Sequence, residues 1–328
     1  MIVPEVSVAL CTHNGERFID EQLVSIFAQT VLPAEVVVSD DASTDATVAR
    51  VRSAFAAHPG APRLTLLQNA VALGVTRNFE QAIAACSGEI VVLSDQDDIW
   101  HANRVELTVA AFADPAVLLV HGDATLVDAA GERLADSLFE SYAVDAPTRF
   151  ELASARGFEL LLHRNLVTGA TAAIRREVAE GARPYPESWV HDEWLAVAAA
   201  ARGRIAPLPE SLIDYRQHGG NEIGAVRVNF RAKLSRLTAP GYVRNRRLLE
   251  RAEALAERAG SLGVVEADRI AAVADKVQHE RVRSGLSVHR ALRIVPVLRE
   301  LRTGRYGRYG GGLQDVARDL IQPLKPAR

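Results

Sequence analysis

The stretch Leu-Ser-Asp-Gln-Asp-Asp-Ile-Trp at residues 93–100 places three carboxylates within four positions, directly after an apolar run. Asp95, Asp97 and Asp98 repel one another unless a positive charge lies among them. Carboxylates at the end of a buried strand are suitable ligands for Mg²⁺ or Mn²⁺, and such an ion often bridges to the phosphates of a ligand. The pattern therefore predicts a divalent-cation site, and a solvated turn after a strand is the alternative.

Apolar runs alternate with helical patterns over the first 115 residues. Short apolar runs predict buried strands at 6–11, 35–39, 64–67 and 90–93. The segments between them have apolar residues at helical spacing, at 16–29, 48–55 and 79–86. Ser43 or Thr44 is the expected cap of the second helix. The alternation predicts an α/β fold with a mostly parallel central sheet flanked by helices.

Polar clusters follow three of these strands: Thr12-His13-Asn14, Asp40-Asp41, and Asp95 to Asp98. Ligands of parallel α/β sheets bind beyond the carboxyl ends of the strands. We therefore expect the three clusters to meet at one edge of the sheet.

The pattern is weaker beyond residue 115. It predicts strands at 117–121 and 169–174 and helices at 194–201 and 244–259, whereas 128–165 is irregular. A basic amphipathic pattern covers 287–302, where Pro296 should kink or divide a helix. The Gly- and Arg-rich stretch 305–312 is expected to be flexible.

The net charge of −3 conceals an asymmetry. Residues 1–228 contain 17 Lys and Arg against 31 Asp and Glu, and residues 229–328 contain 21 against 10. We expect a boundary near residue 228, with a mainly helical basic region after it. Its anionic partner is a membrane surface, the acidic domain, or nucleic acid; no recognition motif supports nucleic acid.

Composition narrows the class of protein. A hydrophobic fraction of 48% over 328 residues allows a sizeable core. No segment approaches the roughly 18 uncharged apolar residues that span a bilayer, and the first residues lack the features of a secretory signal. Two cysteines, Cys11 and Cys86, form no disulfide framework. We expect a cytoplasmic protein, in peripheral contact with an anionic membrane if the basic region binds there.

Six stretches in order resemble the motifs of glycosyltransferase family 2. They are Val-Ser-Val-Ala-Leu-Cys-Thr-His-Asn-Gly at 6–15, Val-Val-Val-Ser-Asp-Asp-Ala-Ser-Thr-Asp at 36–45, the 93–100 stretch, Thr-Gly-Ala-Thr-Ala-Ala-Ile at 168–174, His-Asp-Glu-Trp at 191–194, and Tyr-Arg-Gln-His-Gly-Gly-Asn at 215–221. The combination looks most like the rhamnosyltransferase branch and covers roughly residues 5–225. The resemblance implies the GT-A fold, in which an α/β domain binds a nucleotide sugar.

The resemblance implies a donor site along the predicted edge. Asp40 and Asp41 would accept a hydrogen bond from the imide of a uracil or thymine base, and Thr12, His13 and Asn14 would line the base and ribose. The alternative is that the two aspartates cap the following helix. UDP- and dTDP-sugars are both compatible donors.

The resemblance also implies a metal-bound diphosphate. Asp95, Gln96 and Asp97 resemble the family's DxD motif, with Asp95 towards the ribose and Asp97 on Mg²⁺ or Mn²⁺. Asp98 is a further candidate ligand or a helix cap. His218 is expected to be a metal ligand or phosphate contact, and Gly219-Gly220 would let its loop close over the donor.

Three more residues are expected at the donor: Arg77 and Asn78 beside phosphate or sugar, and Arg216 at the diphosphate. A solvated arginine is the alternative for Arg77. In the acceptor half, Asp192 matches the family's catalytic base. Glu193 is the alternative base, and the structural alternative is that Asp192 caps the helix that follows. Residues 168–170 would lie near the acceptor, and core packing is expected for at least two of the three tryptophans.

The predicted activity is inverting, metal-dependent transfer of a sugar, with rhamnose a candidate, to a glycan or lipid-linked acceptor in cell-surface polysaccharide synthesis. A catalytically silent nucleotide-sugar-binding protein is the alternative from another class. A sugar-phosphate nucleotidyltransferase ranks lower, because the loop Thr-His-Asn-Gly-Glu-Arg at 12–17 is not the Gly-rich, basic loop that such an enzyme needs.

Overall fold

The computed structural model describes residues 4–218 and 241–323. The chain divides into two compact units, Met1–Gly157 with Leu166–Ala225 and Phe158–Asn165 with Val226–Arg328. The predicted boundary near residue 228 lies outside the described residues and stays a prediction. The sequence pattern did not indicate that the short segment 158–165 belongs with the second unit.

The first unit begins with four parallel strands in the order β3-β2-β1-β4. They are β1 (Val6–Thr12), β2 (Glu35–Asp40), β3 (Arg63–Gln68) and β4 (Ile90–Ser94), connected through α1 (Ile19–Phe27), α2 (Thr47–Ala57) and α3 (Val75–Ala85). Every residue of β1, β2 and β4 is buried, as expected of parallel strands with helices on both faces. Thr12 lies opposite Asp40, and Leu10 lies opposite Ser94, so the carboxyl ends of these strands meet at one edge.

The rest of the sheet is mixed, in the order β4-β8-β6-β9-β5 with β7 paired to β6. β8 is antiparallel to β4 and β6, β5 is antiparallel to β9, and β6 and β9 are parallel. The elements are β5 (Ile99–Trp100), α4 (Arg104–Ala111), β6 (Val117–Asp128), β7 (Arg133–Ala135), α5 (Leu138–Ser141), α6 (Ala146–Leu152), β8 (Ala172–Arg175), α8 (Arg176–Gly181), α9 (His191–Arg202) and β9 (Arg204–Gln217). Between α6 and β8 the chain forms α7 (Gly157–His163), which apart from Gly157 belongs to the second unit. The predicted α/β class is confirmed.

Three local predictions for this unit are wrong. The cap of α2 is Ala46 rather than Ser43 or Thr44, and the Thr47 amide donates to Asp45 at 3.0 Å. The segment predicted as irregular contains the short helices α5 to α7. The predicted strand at 169–174 starts with a 3₁₀ turn, Gly169–Thr171, before β8. Short elements give too few repeats of an apolar pattern to be recognised.

The second unit is helical, as predicted. Its helices are α10 (Gly241–Arg258), α11 (Ala267–Ser284), α12 (Ile294–Arg302), α13 (Arg305–Tyr309) and α14 (Leu313–Ile321), and a 3₁₀ turn at Arg290–Arg293 precedes α12. Leu286, Val297, Tyr306 and Val316 form its apolar core. None of the helices that the structure describes is long and apolar enough to cross a bilayer.

Two predictions for the second unit need correction. Pro296 lies in the first turn of α12, where a backbone N–H has no intrahelical partner to lose, so it neither kinks nor divides that helix. The stretch 305–312, expected to be flexible, contains α13. Tyr306 and Tyr309 are buried there, and the Tyr306 hydroxyl donates to Asp319 at 2.9 Å.

A buried carboxylate ties the amino ends of the parallel strands together. Glu35, at the start of β2, is 2% exposed. It accepts hydrogen bonds from the Ser7 hydroxyl at 2.6 Å and from the Ser87 amide at 2.5 Å, and it pairs with Arg63. Burial by itself would raise the pKa of Glu35, but these hydrogen bonds outweigh it and lower the pKa to about 2.

We predict that Glu35→Gln lowers the free energy of unfolding at pH 7 by about 2 kcal/mol, because charge-assisted hydrogen bonds are lost. The folded pKa lies below the usual value of 4.5, so the stabilisation is complete above pH 4.5 and disappears as the pH falls towards 2. Urea unfolding at pH 7, 4.5 and 3 measures this, with exposed Glu89→Gln as control. A difference between variant and wild type that does not shrink below pH 4.5 would contradict the assignment.

Candidate active site

The acidic motif leaves the sheet at the carboxyl end of β4. Asp97 Oδ2 lies 2.6 Å from His218 Nε2, although the two residues are 121 positions apart. His218 directly follows β9, and its ring stacks on Phe18 at 4.8 Å between centroids. The fold thus brings together the two predicted metal ligands.

Arg216 is hydrogen-bonded to the acidic loop. Its side chain is 3% exposed. Its amide donates to Asp98 Oδ1 at 3.0 Å, its Nε to the Asp97 carbonyl at 2.8 Å, and its Nη2 to Glu21 at 2.6 Å, while the guanidinium lies over the Phe18 ring. These contacts favour a positioning role for Arg216, and its predicted contact with a diphosphate stays a prediction.

A second buried arginine lies behind the motif. Arg104 is fully buried, 3.8 Å above the Trp100 ring, and donates to the Leu93 carbonyl at 3.0 Å. Burial lowers its pKa to about 9, against the opposing effect of the charges of Asp98 and Asp95. Arg104 was not among the site residues predicted from the sequence. The available signal was its position in the first turn of α4, shortly after Trp100.

The carboxylates of the motif lie close enough for their charges to act on one another. Burial raises the pKa of Asp98, and the charges of Asp97 and Asp95 raise it further. Asp98 Oδ2 is buried without a hydrogen-bond partner. Within residues 4–218 and 241–323, no group of three or more His, Cys, Asp or Glu side chains is arranged to hold a metal. Asp97 nevertheless suits an ion of the Mg²⁺ type, which is held by one or two carboxylates and completes its shell with phosphate oxygens and water. The imidazole of His218 suits a transition-metal ion better than Mg²⁺.

Gln96 joins the acidic motif to the loop after β1. Its Oε1 accepts the His13 amide at 2.8 Å, and its Nε2 donates to the His13 carbonyl at 3.0 Å. This approach requires glycine at position 15, since a Cβ there would lie 2.1 Å from Gln96 Oε1. Gly15 also donates its amide to Thr47 Oγ1 at 2.8 Å. Gly15 was not among the site residues predicted from the sequence.

The His13 and Asn14 side chains are exposed beside this pair. His13 Nδ1 lies 2.6 Å from the Asp41 carbonyl. Asn14 has a φ of 47° and accepts the Thr44 amide at 2.9 Å, while its own amide donates to Ser43 Oγ at 2.8 Å. The loops after β1 and β2 are therefore one hydrogen-bonded surface.

Asp40 organises the turn that follows β2. It accepts the Thr12 hydroxyl at 2.8 Å, the Ser43 amide at 2.9 Å and the Ser43 hydroxyl at 2.5 Å. Because α2 starts only at Thr47, these bonds stabilise the turn rather than cap the helix.

Asp41 organises the loop before α3. It accepts the Leu73 amide at 2.7 Å, the Gly74 amide at 2.9 Å and Asn69 Nδ2 at 3.0 Å. Both strand-end aspartates thus have protein partners, and their contact with a base stays a prediction.

The structure places Arg77 and Asn78 differently from one another. The Arg77 side chain is 40% exposed and pairs with Glu80 at 2.8 Å and with Glu187 at 3.8 Å. Asn78 is buried, donates to the Ser39 carbonyl at 2.9 Å and accepts the Ser39 hydroxyl at 2.6 Å. These bonds give Asn78 a structural role at the end of β2; the predicted donor contacts of both residues remain untested.

Asp192 lies in the first turn of α9. Its Oδ2 accepts the Gly169 amide at 2.9 Å, and its Oδ1 accepts the Glu193 amide at 2.7 Å. The cap residue of α9 is Val190, so the geometry does not support the alternative of Asp192 as a cap. The positive end of the helix dipole favours a negative charge at this position.

Strand register places Asp192 near the acidic motif. Val92 of β4 lies opposite Ala173 of antiparallel β8, so residues that precede β8 lie progressively further towards the carboxyl end of β4. Gly169 therefore lies past that end, where the chain continues as residues 95–98. Its hydrogen bond to Asp192 brings the predicted base to the same edge of the sheet.

The charges of these carboxylates act on two tyrosines, Tyr142 and Tyr215. Burial and then the charge of Asp192 raise the pKa of Tyr142. Burial, Asp95, Asp98 and Tyr142 in turn raise the pKa of Tyr215. Neither tyrosine was among the site residues predicted from the sequence. Tyr142 lies in the 128–165 stretch, which has no regular pattern.

Apolar packing fixes the amino-terminal end of α9. His191 is buried, stacks on Phe79 at 3.8 Å between centroids, and has its pKa lowered to about 3 by burial, so it stays neutral. A Cβ at position 169 would lie 2.9 Å from His191 Nε2, which explains the glycine there. All three tryptophans are buried, in agreement with core packing for at least two of them. Gly219, Gly220 and their predicted loop closure lie outside the described residues.

Known proteins resemble the chain in sequence. Residues 7–181 match the family described as glycosyl transferase family 2, and the chain belongs to this family. An uncharacterized protein of Mycobacterium tuberculosis is 30% identical over 65% of the chain and 59% of its own length, so the match spans about three-fifths of that relative. The dTDP-rhamnosyl transferase RfbG of Shigella flexneri is 26% identical over 72% of the chain and 80% of its own length.

A solved structure resembles the chain in fold. The mannosyltransferase PcManGT from Pyrobaculum calidifontis, in complex with GDP-Man and Mn²⁺, superposes with a TM-score of 0.53 at 20% identity. The superposition covers 97% of the chain and 85% of that protein. The chain thus has the GT-A fold that the sequence motifs predicted.

We predict that Gly15→Ala displaces the Gln96 side chain and weakens nucleoside diphosphate binding about tenfold, since a pair of neutral hydrogen bonds is lost. The fold should persist, because the clash is with the end of a flexible side chain. Calorimetric titration with UDP and dTDP in the presence of Mn²⁺ measures the affinity. Gly60→Ala is the matched control, since a Cβ there meets nothing within 4 Å. Equal affinity in both variants would show that the Gln96–His13 pair does not support the site.

Proposed function

We propose that the protein transfers a sugar, with inversion and with the help of a divalent ion, from a UDP- or dTDP-sugar to a hydroxyl group of a glycan or lipid-linked acceptor. The observation that carries the proposal is the contact between Asp97 and His218 at the edge of the sheet where Asp192 also lies. The name of the Shigella relative makes dTDP-rhamnose the first donor to test. Cell-surface polysaccharide synthesis is the corresponding role.

The donor would lie along the loops after β1, β2 and β4. His13 and Asn14 are exposed on the joined loops, and we assign the base and ribose to this surface, bordered by Thr12, Asp40 and Asp41. Because the hydrogen bonds of the two aspartates fix the loops before ligand binds, little ordering remains for the donor to impose. Asp95 and Gln96 would contact the ribose side of the diphosphate.

Asp97 and His218 would hold Mg²⁺ or Mn²⁺, and a divalent ion bound there supplies positive charge against the charge that grows on the departing nucleotide. The structure of PcManGT with Mn²⁺ supports this choice of ion. Arg216 fixes the Asp97 backbone, so that the carboxylate is positioned before the donor arrives. Charge stabilisation at the leaving group is usually the largest contribution to catalysis of this kind.

Asp192 would act as the general base. An inverting transfer needs a carboxylate that accepts the proton of the acceptor hydroxyl as its oxygen attacks the anomeric carbon. The amides of Gly169 and Glu193 fix the orientation of the Asp192 carboxylate. We place the acceptor beside the 168–170 turn, where small residues leave room for a sugar.

We predict that Asp97→Ala removes the enhancement of donor affinity by Mn²⁺. Loss of a metal ligand should exceed the roughly 10- to 100-fold loss that changes around a metal site cause. Calorimetry with dTDP-rhamnose and UDP-sugars, with and without Mn²⁺, measures the effect, and exposed Asp268→Ala is the control. A wild-type protein whose donor affinity is unaffected by Mn²⁺ and Mg²⁺ would refute metal dependence.

We predict that Asp192→Asn keeps donor affinity but lowers turnover by about 10²- to 10⁴-fold, the range of general-base catalysis. Release of free nucleotide from donor and acceptor measures turnover and also separates an enzyme from a silent binding protein. Glu193→Gln is the parallel variant and should retain turnover. If Glu193→Gln loses turnover while Asp192→Asn retains it, the base is Glu193.

A further inference from the structure

The second unit carries an exposed apolar face beside α12. Val288, Leu292, Ile294, Val295 and Leu298 are between 45% and 63% exposed. They occur within eleven consecutive positions, whereas exposed aliphatic side chains are normally scattered singly. Together with the exposed Arg290, Arg299 and Arg302, they form a surface that we call the 288–302 face.

The opposite side of the same segment is firmly packed. Val297 is fully buried in the core of the unit, and Glu300 is buried beside His279 at 2.8 Å. Buried Arg293 donates to the carbonyls of Ser287 at 2.6 Å, Val288 at 2.9 Å and Gln322 at 2.7 Å. The exposed aliphatic side chains are therefore presented by a fixed backbone.

The charge of the 288–302 face has one sign. Residues 288–302 contain four arginines, of which Arg293 is buried, and a single carboxylate, Glu300, which points inwards. The outer surface of α10 differs, since Arg246 there pairs with Glu250 at 2.9 Å. The arginines of the 288–302 face thus have no carboxylate of their own segment on the same surface.

The combination of aliphatic side chains and arginines distinguishes among three kinds of partner: an anionic bilayer, nucleic acid and a second copy of the chain. Aliphatic side chains flanked by arginines are typical of segments that lie in the headgroup region of a bilayer with anionic lipid. Nucleic acid would use the arginines but not the aliphatic side chains. A second copy of the chain would bring two arginine-rich surfaces of equal charge together, which is unfavourable.

We propose that the 288–302 face binds the surface of a bilayer that contains anionic lipid. Leu292, Val295 and Leu298 enter the boundary between headgroups and acyl chains, while Arg299 and Arg302 contact lipid phosphates. Membrane binding of this kind does not require sugar transfer, so it and the proposed function succeed or fail separately.

Vesicle flotation of the full chain tests the proposal. The protein should float with vesicles of phosphatidylglycerol and phosphatidylcholine at low salt, should float less at 0.5 M salt, and should stay unbound with pure phosphatidylcholine. Val295→Ser/Leu298→Ser should reduce binding at least tenfold, because affinity scales with the apolar area inserted. Arg299→Gln/Arg302→Gln should reduce it by roughly fivefold per arginine.

Two variants outside the face are matched controls. Ile270→Ser removes an aliphatic side chain of α11 that is 50% exposed, and Arg247→Gln removes an exposed charge of α10. Both should float like the wild type. Far-UV circular dichroism establishes that every variant is folded, and nucleotide release with a water-soluble acceptor should be equal in all of them.

Four results would overturn the proposal. They are absence of wild-type flotation with anionic vesicles at low salt, equal flotation with neutral vesicles, unchanged binding of the Val295→Ser/Leu298→Ser variant, and equal loss in the two control variants. Binding of a single-stranded oligonucleotide without vesicle binding would assign the face to nucleic acid instead. A dimer in light scattering that the double variant abolishes, again without vesicle binding, would assign it to a second copy.

Discussion

Mutual repulsion among Asp95, Asp97 and Asp98 is the constraint on which the rest of the candidate active site depends. The carboxylates lie within four positions, and burial of Asp98 makes its charge more costly. Three groups of the fold oppose this repulsion. The Arg104 charge lies near Asp98 and Asp95, Arg216 donates hydrogen bonds to Asp98 and to the Asp97 carbonyl, and His218 contacts the Asp97 carboxylate. These groups reduce the repulsion but leave one oxygen of Asp98 without a hydrogen-bond partner. A divalent ion at the exposed side would complement what remains.

The same contacts couple the site to the sheet. Arg216 reaches Asp98 across 118 positions, and it does so because β9 pairs with β5 and β6. The hydrogen bonds of Arg216 to the acidic loop therefore depend on the pairing of the last strand of the sheet. Gln96 makes the corresponding connection to the loop after β1. Rigid loops of this kind suit an enzyme that must hold a charged donor in a fixed geometry.

Hydrogen bonding separates the carboxylates into two groups. Asp40 and Asp41 accept several backbone and side-chain donors, and their main effect is to fix loops. Asp192 is held by two amides in the first turn of α9, an arrangement that orients the carboxylate. Residue type alone does not distinguish these roles, because both groups contain adjacent acidic residues.

The sequence alone determined the α/β class, the four parallel strands and the edge at which the polar clusters meet, because buried strands and amphipathic helices have local periods that a linear pattern displays. It also indicated Asp97, His218 and Asp192 through the family's motifs. Only the tertiary structure decided that Arg216 and Asn78 are buried braces, that Arg104 lies behind the motif, and that Gly15 and Gly169 allow close approach. Those roles depend on contacts between residues far apart in sequence, and no local pattern specifies which distant group a buried side chain will meet.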